Sequence, residues 1–206
     1  TDADLITSVR NTLVFTGIKV PLQTALALGL ALLVNRAGRA ILVVRTAVFL
    51  PVVTSLVVAS TLWLLLLQPD QGLINGLLGT LGLPRQPFLR DVNQALPSII
   101  AMTTWKVVGL SMLFFLAGLQ GIPEIFYEAA RIDGLTPFGT FYRIVLPLST
   151  PGLAVTCFYT FITAWNEVAF ANIILLSPEK YTLPVGLRTY VYQFDQAWEK
   201  LTAGAM

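Results

Sequence analysis

Four long apolar runs set the pattern of this chain, at residues 13–34, 46–67, 95–119 and 151–170. Each is near the roughly 20 residues that a helix needs to cross about 30 Å of hydrocarbon. The second run carries no charge, the first holds Lys19 and Pro21, and the third holds Lys106. Backbone groups that Pro21 leaves unbonded must be satisfied by neighbours or water, so the first span is expected inside a bundle. The pattern predicts an all-α, polytopic transmembrane helical bundle forming one membrane domain over residues 1–206. The chain opens and stops where further spans are expected, so terminal spans are expected to be missing from it.

The polar stretches between the runs read as membrane connections. Residues 35–45 carry Arg36, Arg39 and Arg45, which the positive-inside rule puts in the cytoplasm. Alternation then puts residues 68–94 outside, 120–150 inside and the tail from Ser177 outside. Lys180, Arg188 and Lys200 of that tail run against the rule, so the orientation rests on the first inner loop. In the outer segment Leu73, Ile74, Leu77, Leu78 and Leu81 recur at helical spacing, which predicts a short helix either lying on the outer surface or capping the bundle.

Between the third and fourth runs stands Gly121-Ile-Pro-Glu-Ile-Phe-Tyr-Glu-Ala-Ala-Arg-Ile-Asp-Gly134. Pro123 suits a first helical position, Glu124 complements the positive helix start and Gly134 supplies a stop. Ile125, Ala129 and Ile132 fall on one face of that helix, and Glu124, Glu128 and Arg131 on another. Ala129 and Ala130 are small enough to let another body approach closely. Thr136 and Pro137 then start a second helix, expected to run through Phe141 and Ile144 until Pro147 ends it. Two short helices over residues 123–147 make a knob on the cytoplasmic side.

Glu128-Ala129-Ala130, three residues, Gly134, nine residues, Ile144, one residue and Leu146-Pro147 together resemble the EAA loop of binding-protein-dependent ABC import permeases. Asn11-Thr12-Leu13, Phe49-Leu50-Pro51 and the run from Phe115 to Gln120 are similar to the carbohydrate-uptake branch of that family, the maltose-type permeases. Trp165-Asn166-Glu167 and the stretch from Thr182 to Leu187 look like the other permease of a maltose-type pair. The resemblance implies a bacterial or archaeal plasma membrane protein that imports sugars or related polyols by alternating access. Its implied partners are a second permease subunit, a dimer of ATP-binding-cassette ATPases and an external solute-binding protein, within the lipid bilayer. It also implies that Glu128, Ala129, Ala130, Asp133 and Gly134 couple the permease to the ATPase.

Composition narrows the remaining chemistry. Hydrophobic residues make up 55% and charged residues 12% of the chain, against about 25% charged in soluble domains. A net charge of +2, scattered, argues against a nucleic-acid partner. None of Lys19, Lys106, Lys180 and Lys200 stands in a Gly-Lys-Ser/Thr phosphate loop, and the chain has no His, so enzyme readings fall away. No cofactor is expected on the chain itself; ATP and Mg²⁺ belong to the partner ATPase. The single cysteine, Cys157, is expected as a buried small hydrophobe.

Intramembrane charge is costly and often functional. Lys106, with Trp105 beside it as an aromatic face for a sugar ring, either lines a solute path or pairs with a carboxylate. Asn166 and Glu167 are candidates for sugar hydroxyls or for the delivering protein, and Trp165 for an interfacial anchor. Lys19 is expected to snorkel to the interface. Two other functions stay open: a permease for a phosphorylated polyol, polyamine or amino acid, and a non-transporting scaffold that tethers a soluble partner.

Overall fold

The computed structural model describes residues 2–36, 38–167 and Pro184. The tail expected outside, including Lys180, Arg188, Lys200 and almost all of the stretch 182–187, lies outside the described residues, as do the last residues of the fourth run. Every regular element among the described residues is helical. In chain order these are α1 (Asp2–Val34), α2 (Arg39–Val53), α3 (Leu56–Leu66), α4 (Leu73–Thr80), α5 (Val92–Gln120), α6 (Glu124–Ile132), α7 (Pro137–Thr140), α8 (Leu146–Leu148) and α9 (Thr150–Trp165). Two of them, over Ile6–Val34 and Asn93–Gln120, are long and apolar enough to cross a membrane alone. The pairs α2 with α3 and α7–α8 with α9 qualify only as broken spans, the latter bent by 67°.

The second run, expected as one uninterrupted span, is therefore broken after Val53, and its helix starts at Arg39, inside the expected loop. Pro51 contributes no N–H to the helix, and its ring crowds the carbonyl one turn back. The last carbonyls of α2 then need partners from elsewhere, and α5 supplies them, as described below.

The described chain divides into two compact units whose boundaries fall within α1 and α5. One unit consists of residues 20–53 and 105–162. Its core joins Ala27, Ala31 and Val34 of α1 to Val108, Met112, Phe115, Leu116 and Leu119 of α5, together with Val145. Lipid tails are as apolar as these side chains, so close packing and not hydrophobicity holds such helices together, and alanines four apart let the backbones approach. Gly109 carries this furthest: a Cβ there would lie 2.4 Å from the Val48 carbonyl oxygen. Ile122, Tyr127, Phe141 and Leu153 pack on the same core and so fix the connection between α5 and α9.

The other unit comprises residues 1–19, 54–104 and 163–206. Its outer segment closes around Asn75, which is only 3% exposed. The Asn75 amide donates to the carbonyls of Pro69 (3.0 Å) and Gln86 (2.8 Å) and accepts from the Gln86 N–H (2.9 Å). The predicted short helix is present as α4. Ile74 and Leu78 are half-buried beside Asn75, and Leu73, Leu77 and Leu81 face outward, the disposition of a helix lying on a surface.

Candidate functional site

The knob is built by local signals. α6 starts one residue later than expected, with Pro123 in extended backbone as its cap and not as its first turn. At the other end the Leu135 N–H donates to the Ala130 carbonyl (2.9 Å) and the Gly134 N–H to that of Arg131 (3.1 Å), while Gly134 sits at φ +72°. This pair of bonds satisfies carbonyls that the helix end leaves open and needs a left-handed residue, which glycine adopts without a Cβ clash. Thr136 then caps α7, its hydroxyl accepting from the Gly139 N–H at 3.2 Å, with Pro137 in the first turn.

Pro147 does not end the second helix. The backbone widens into a π-helical stretch at Phe141–Val145 and continues through Leu148. A wider turn just before a proline relieves the contact between its ring and the preceding carbonyls, so the helix passes the residue expected to stop it.

Orientation also differs from expectation at one coupling residue. Ala130 is 0% exposed, buried within this chain, so Ala129 alone of the alanine pair is open to another body. Half-buried Tyr127 packs on the core beside it, and burial, then the nearby Glu124, pushes its phenol above the usual range. The opposite side of α6 faces out: Ile125 is 67% and Ile132 86% exposed, with Ala129, Glu128 and Asp133 exposed among them. Phe138 and Tyr142, whose rings lie 5.2 Å apart, continue this apolar surface from the second helix. Glu128, Ala129, Asp133 and Gly134 thus share one exposed turn and cap, and Ala130 holds that turn from beneath.

The candidate path residues are divided between the two units. In the unit of residues 20–53 and 105–162, Trp105 is partly exposed and the Lys106 ammonium donates to the carbonyls of Pro51 (3.0 Å) and Val52 (3.4 Å). In the other unit, α9 ends at Trp165, Asn166 is exposed and Glu167 is half-buried. Lys19 does not snorkel: it is 1% exposed, 5.2 Å from the centre of the Phe15 ring and within electrostatic range of Glu167.

Several polar groups within the spans escaped the reading of the sequence. Gln23 and Ser111, 88 residues apart and both fully buried, share a hydrogen bond of 2.9 Å. Cys157, expected to be buried, is half-buried, with its sulfur 3.6 Å from the Thr24 hydroxyl. The signal was present in α1, where Ser8, Thr12, Thr16, Lys19 and Gln23 recur every three or four residues on its buried side.

A buried polar stripe in a spanning helix, and a knob with an outward apolar face, describe a moving part of a larger assembly. The family described as "binding-protein-dependent transport system inner membrane component" matches residues 23–206. The chain belongs to this family. Among curated relatives of this inner membrane component is the sn-glycerol-3-phosphate transport system permease protein UgpA of Agrobacterium fabrum, 34% identical over 171 residues, covering 81% of this chain and 58% of that protein. The UgpA protein of Brucella abortus is 36% identical over the same coverage. The inner membrane component thus spans a little over half the length of these relatives.

Two solved structures share the fold over nearly the whole chain. A bacterial ABC transporter involved in the import of the acidic polysaccharide alginate matches at TM-score 0.83 and 28% identity, over 98% of this chain and 72% of that one. The same kind of transporter in complex with an alginate pentasaccharide-bound periplasmic protein matches at TM-score 0.82, over 97% and 71%. An amino acid ABC transporter shares the fold at TM-score 0.63 and 17% identity.

Proposed function

We propose that this inner membrane component is a permease subunit of an ATP-driven importer for polyhydroxylated solutes, and that it works by conformational change without chemistry of its own. The observation that carries the proposal is the direction of the knob. A helix that merely braced the bundle would turn Ile125 and Ile132 inward, yet these are its most exposed apolar side chains, flanking Glu128 and Ala129. Contiguous exposed apolar surface edged by charge is the chemistry of a docking face. A cytoplasmic ATPase dimer that binds ATP and Mg²⁺ fits that face. Closure of the dimer moves the knob, the knob moves α5 and α9 through Tyr127, Phe141 and Val145, and the spans rock between outward- and inward-open states. A second permease subunit completes the path, and an external binding protein delivers the solute.

The cargo class is sugars and polyols, including their acidic derivatives. Relatives of the chain are named for sn-glycerol-3-phosphate and for alginate, which are both polyhydroxylated and anionic. Trp105, Lys106, Asn166 and Glu167 are the side chains assigned to the path, with Lys106 as its cation. Reconstitution with the ATPase, second permease and binding protein tests the reading: ATP-dependent uptake of at least one labelled sugar, polyol or polyol phosphate is expected. Absence of uptake from an intact complex would leave a tethering scaffold.

A further inference from the structure

The connection from α1 to α2 forms a basic site that the coupling function does not use. The last carbonyls of α1 have no partner within the helix, and Arg45, from the second turn of α2, reaches back to them. Its Nε donates to the Val34 carbonyl at 3.1 Å, and its Nη2 to those of Val34 at 2.5 Å and Arg36 at 3.3 Å. A guanidinium presents five N–H donors in a rigid fork, and among the described residues the Nη1 group bonds nothing. The Arg45 fork is thus fixed in direction, with one edge open.

Beside it lies a cavity of about 380 Å³, lined by Asn35, Arg36, Gly38, Ile41, Arg45 and Gln120, with Leu42 on its rim. Arg36 is exposed, and Arg39 follows at the start of α2. The sequence holds no Asp or Glu between Asp4 and Asp70. Among the described residues no carboxylate pairs with Arg36, Arg39 or Arg45. Three cations close together repel one another unless an anion joins them.

The position selects the anion. The cavity lies where a membrane-spanning helix ends, and Leu33, Leu42 and Val43 next to it are largely exposed apolar side chains. A ligand here meets a guanidinium fork with its head and hydrocarbon-facing side chains with its body. We propose that this cavity binds the phosphate of an anionic phospholipid, with Arg45 and Arg36 holding the headgroup and Leu33 and Leu42 lying along an acyl chain. Basic pockets at the cytoplasmic ends of spans attract anionic headgroups in this manner, each arginine contributing a factor of about five in binding.

The test uses the full-length protein in its assembled transporter, placed in nanodiscs containing phosphatidylglycerol and phosphatidylcholine in equal parts. Lipid retained on release is read by native mass spectrometry. Phosphatidylglycerol is expected to be retained in preference to phosphatidylcholine, and Arg36→Gln to lower that retention about fivefold. Arg36 makes no side-chain bond among the described residues, so this variant keeps the fold. Arg45→Lys, which keeps a cation at the end of α1 but loses the fork, is expected to weaken retention as well. Equal retention of the two lipids, or unchanged retention in both variants, would overturn the proposal. Displacement of the lipid by millimolar inorganic phosphate would assign the cavity to a free anion instead. Loss of the ATPase from Arg36→Gln with lipid retention intact would assign it to the ATPase; both results count against a lipid site.

Discussion

The Lys106 ammonium donates to the Pro51 carbonyl oxygen across 3.0 Å, joining the middle of α5 to the end of α2. Val52 accepts from the same ammonium at 3.4 Å, so one cation serves two of the carbonyls that open where the second span breaks. A positive charge at a helix C-terminus also opposes the negative end of the helix dipole. Lys106 therefore positions the break, whatever it contributes to a solute path.

Lys106→Met removes a charged donor from carbonyls in a place with little water. Hydrogen bonds to charged groups contribute about 1.5–3 kcal/mol, so thermal unfolding of the detergent-solubilised complex is expected to begin several degrees lower. Lys106→Arg, which keeps the charge and the donors, is expected to recover most of that loss. A selectivity change in Lys106→Arg, at wild-type stability, would mark the side chain as part of the path as well.

Gly109, three residues along the same helix, is predicted to tolerate no side chain. The Cβ of Gly109→Ala would meet the Val48 carbonyl oxygen at 2.4 Å and the Phe49 Cα at 3.0 Å, both backbone atoms that cannot swing aside. Overpacking of this kind costs roughly 1–3 kcal/mol or more. Gel filtration of Gly109→Val should show little assembled complex, while Gly118→Ala, where a Cβ meets nothing within 4 Å, should behave as wild type.

Gly134 is a matter of conformation and not of space. Nothing lies within 4 Å of a Cβ built there, but its φ of +72° costs an L-residue about 1–2 kcal/mol. Gly134→Val is expected to insert and assemble while losing most ATP-dependent uptake, because the exposed turn of α6 shifts. Gly134→Asn, which adopts this backbone more readily, should retain more uptake than the valine variant.

Glu128 is exposed on the face that would meet the ATPase, and no ion pair within this chain is recorded for it. Breaking a buried charge pair at an interface costs about 2–5 kcal/mol. Glu128→Lys is therefore expected to reach the membrane but to lose ATPase on co-purification, with Glu124→Lys less affected. Partial recovery by a charge reversal on the ATPase would identify a direct contact.

What the sequence made legible was whatever depends on neighbours in the chain. Thr136 and Pro137 start a helix and Gly134 stops one for reasons contained within a few residues, and hydropathy marks α1 and α5 without knowing what they touch. The break after Val53 was not legible, because it is completed by Lys106, more than fifty residues on. The inward turn of Ala130 was hidden for another reason: amphipathic spacing separates two faces but does not say which one a multi-subunit protein keeps for itself. The Gln23–Ser111 bond joins two residues that neither run marks as special.

The widened turn at Phe141–Val145 leaves a register mark in the chain. A π turn holds one residue more than an α turn, and each residue of an α-helix advances the azimuth by about 100°. Deleting one residue from that stretch would keep every hydrophobic side chain but rotate the helix beyond it, carrying buried Ser149 away from its place. The length of this segment, and not only its composition, is therefore under constraint: the knob is phased to the span that follows it, like a key cut to one orientation of its lock.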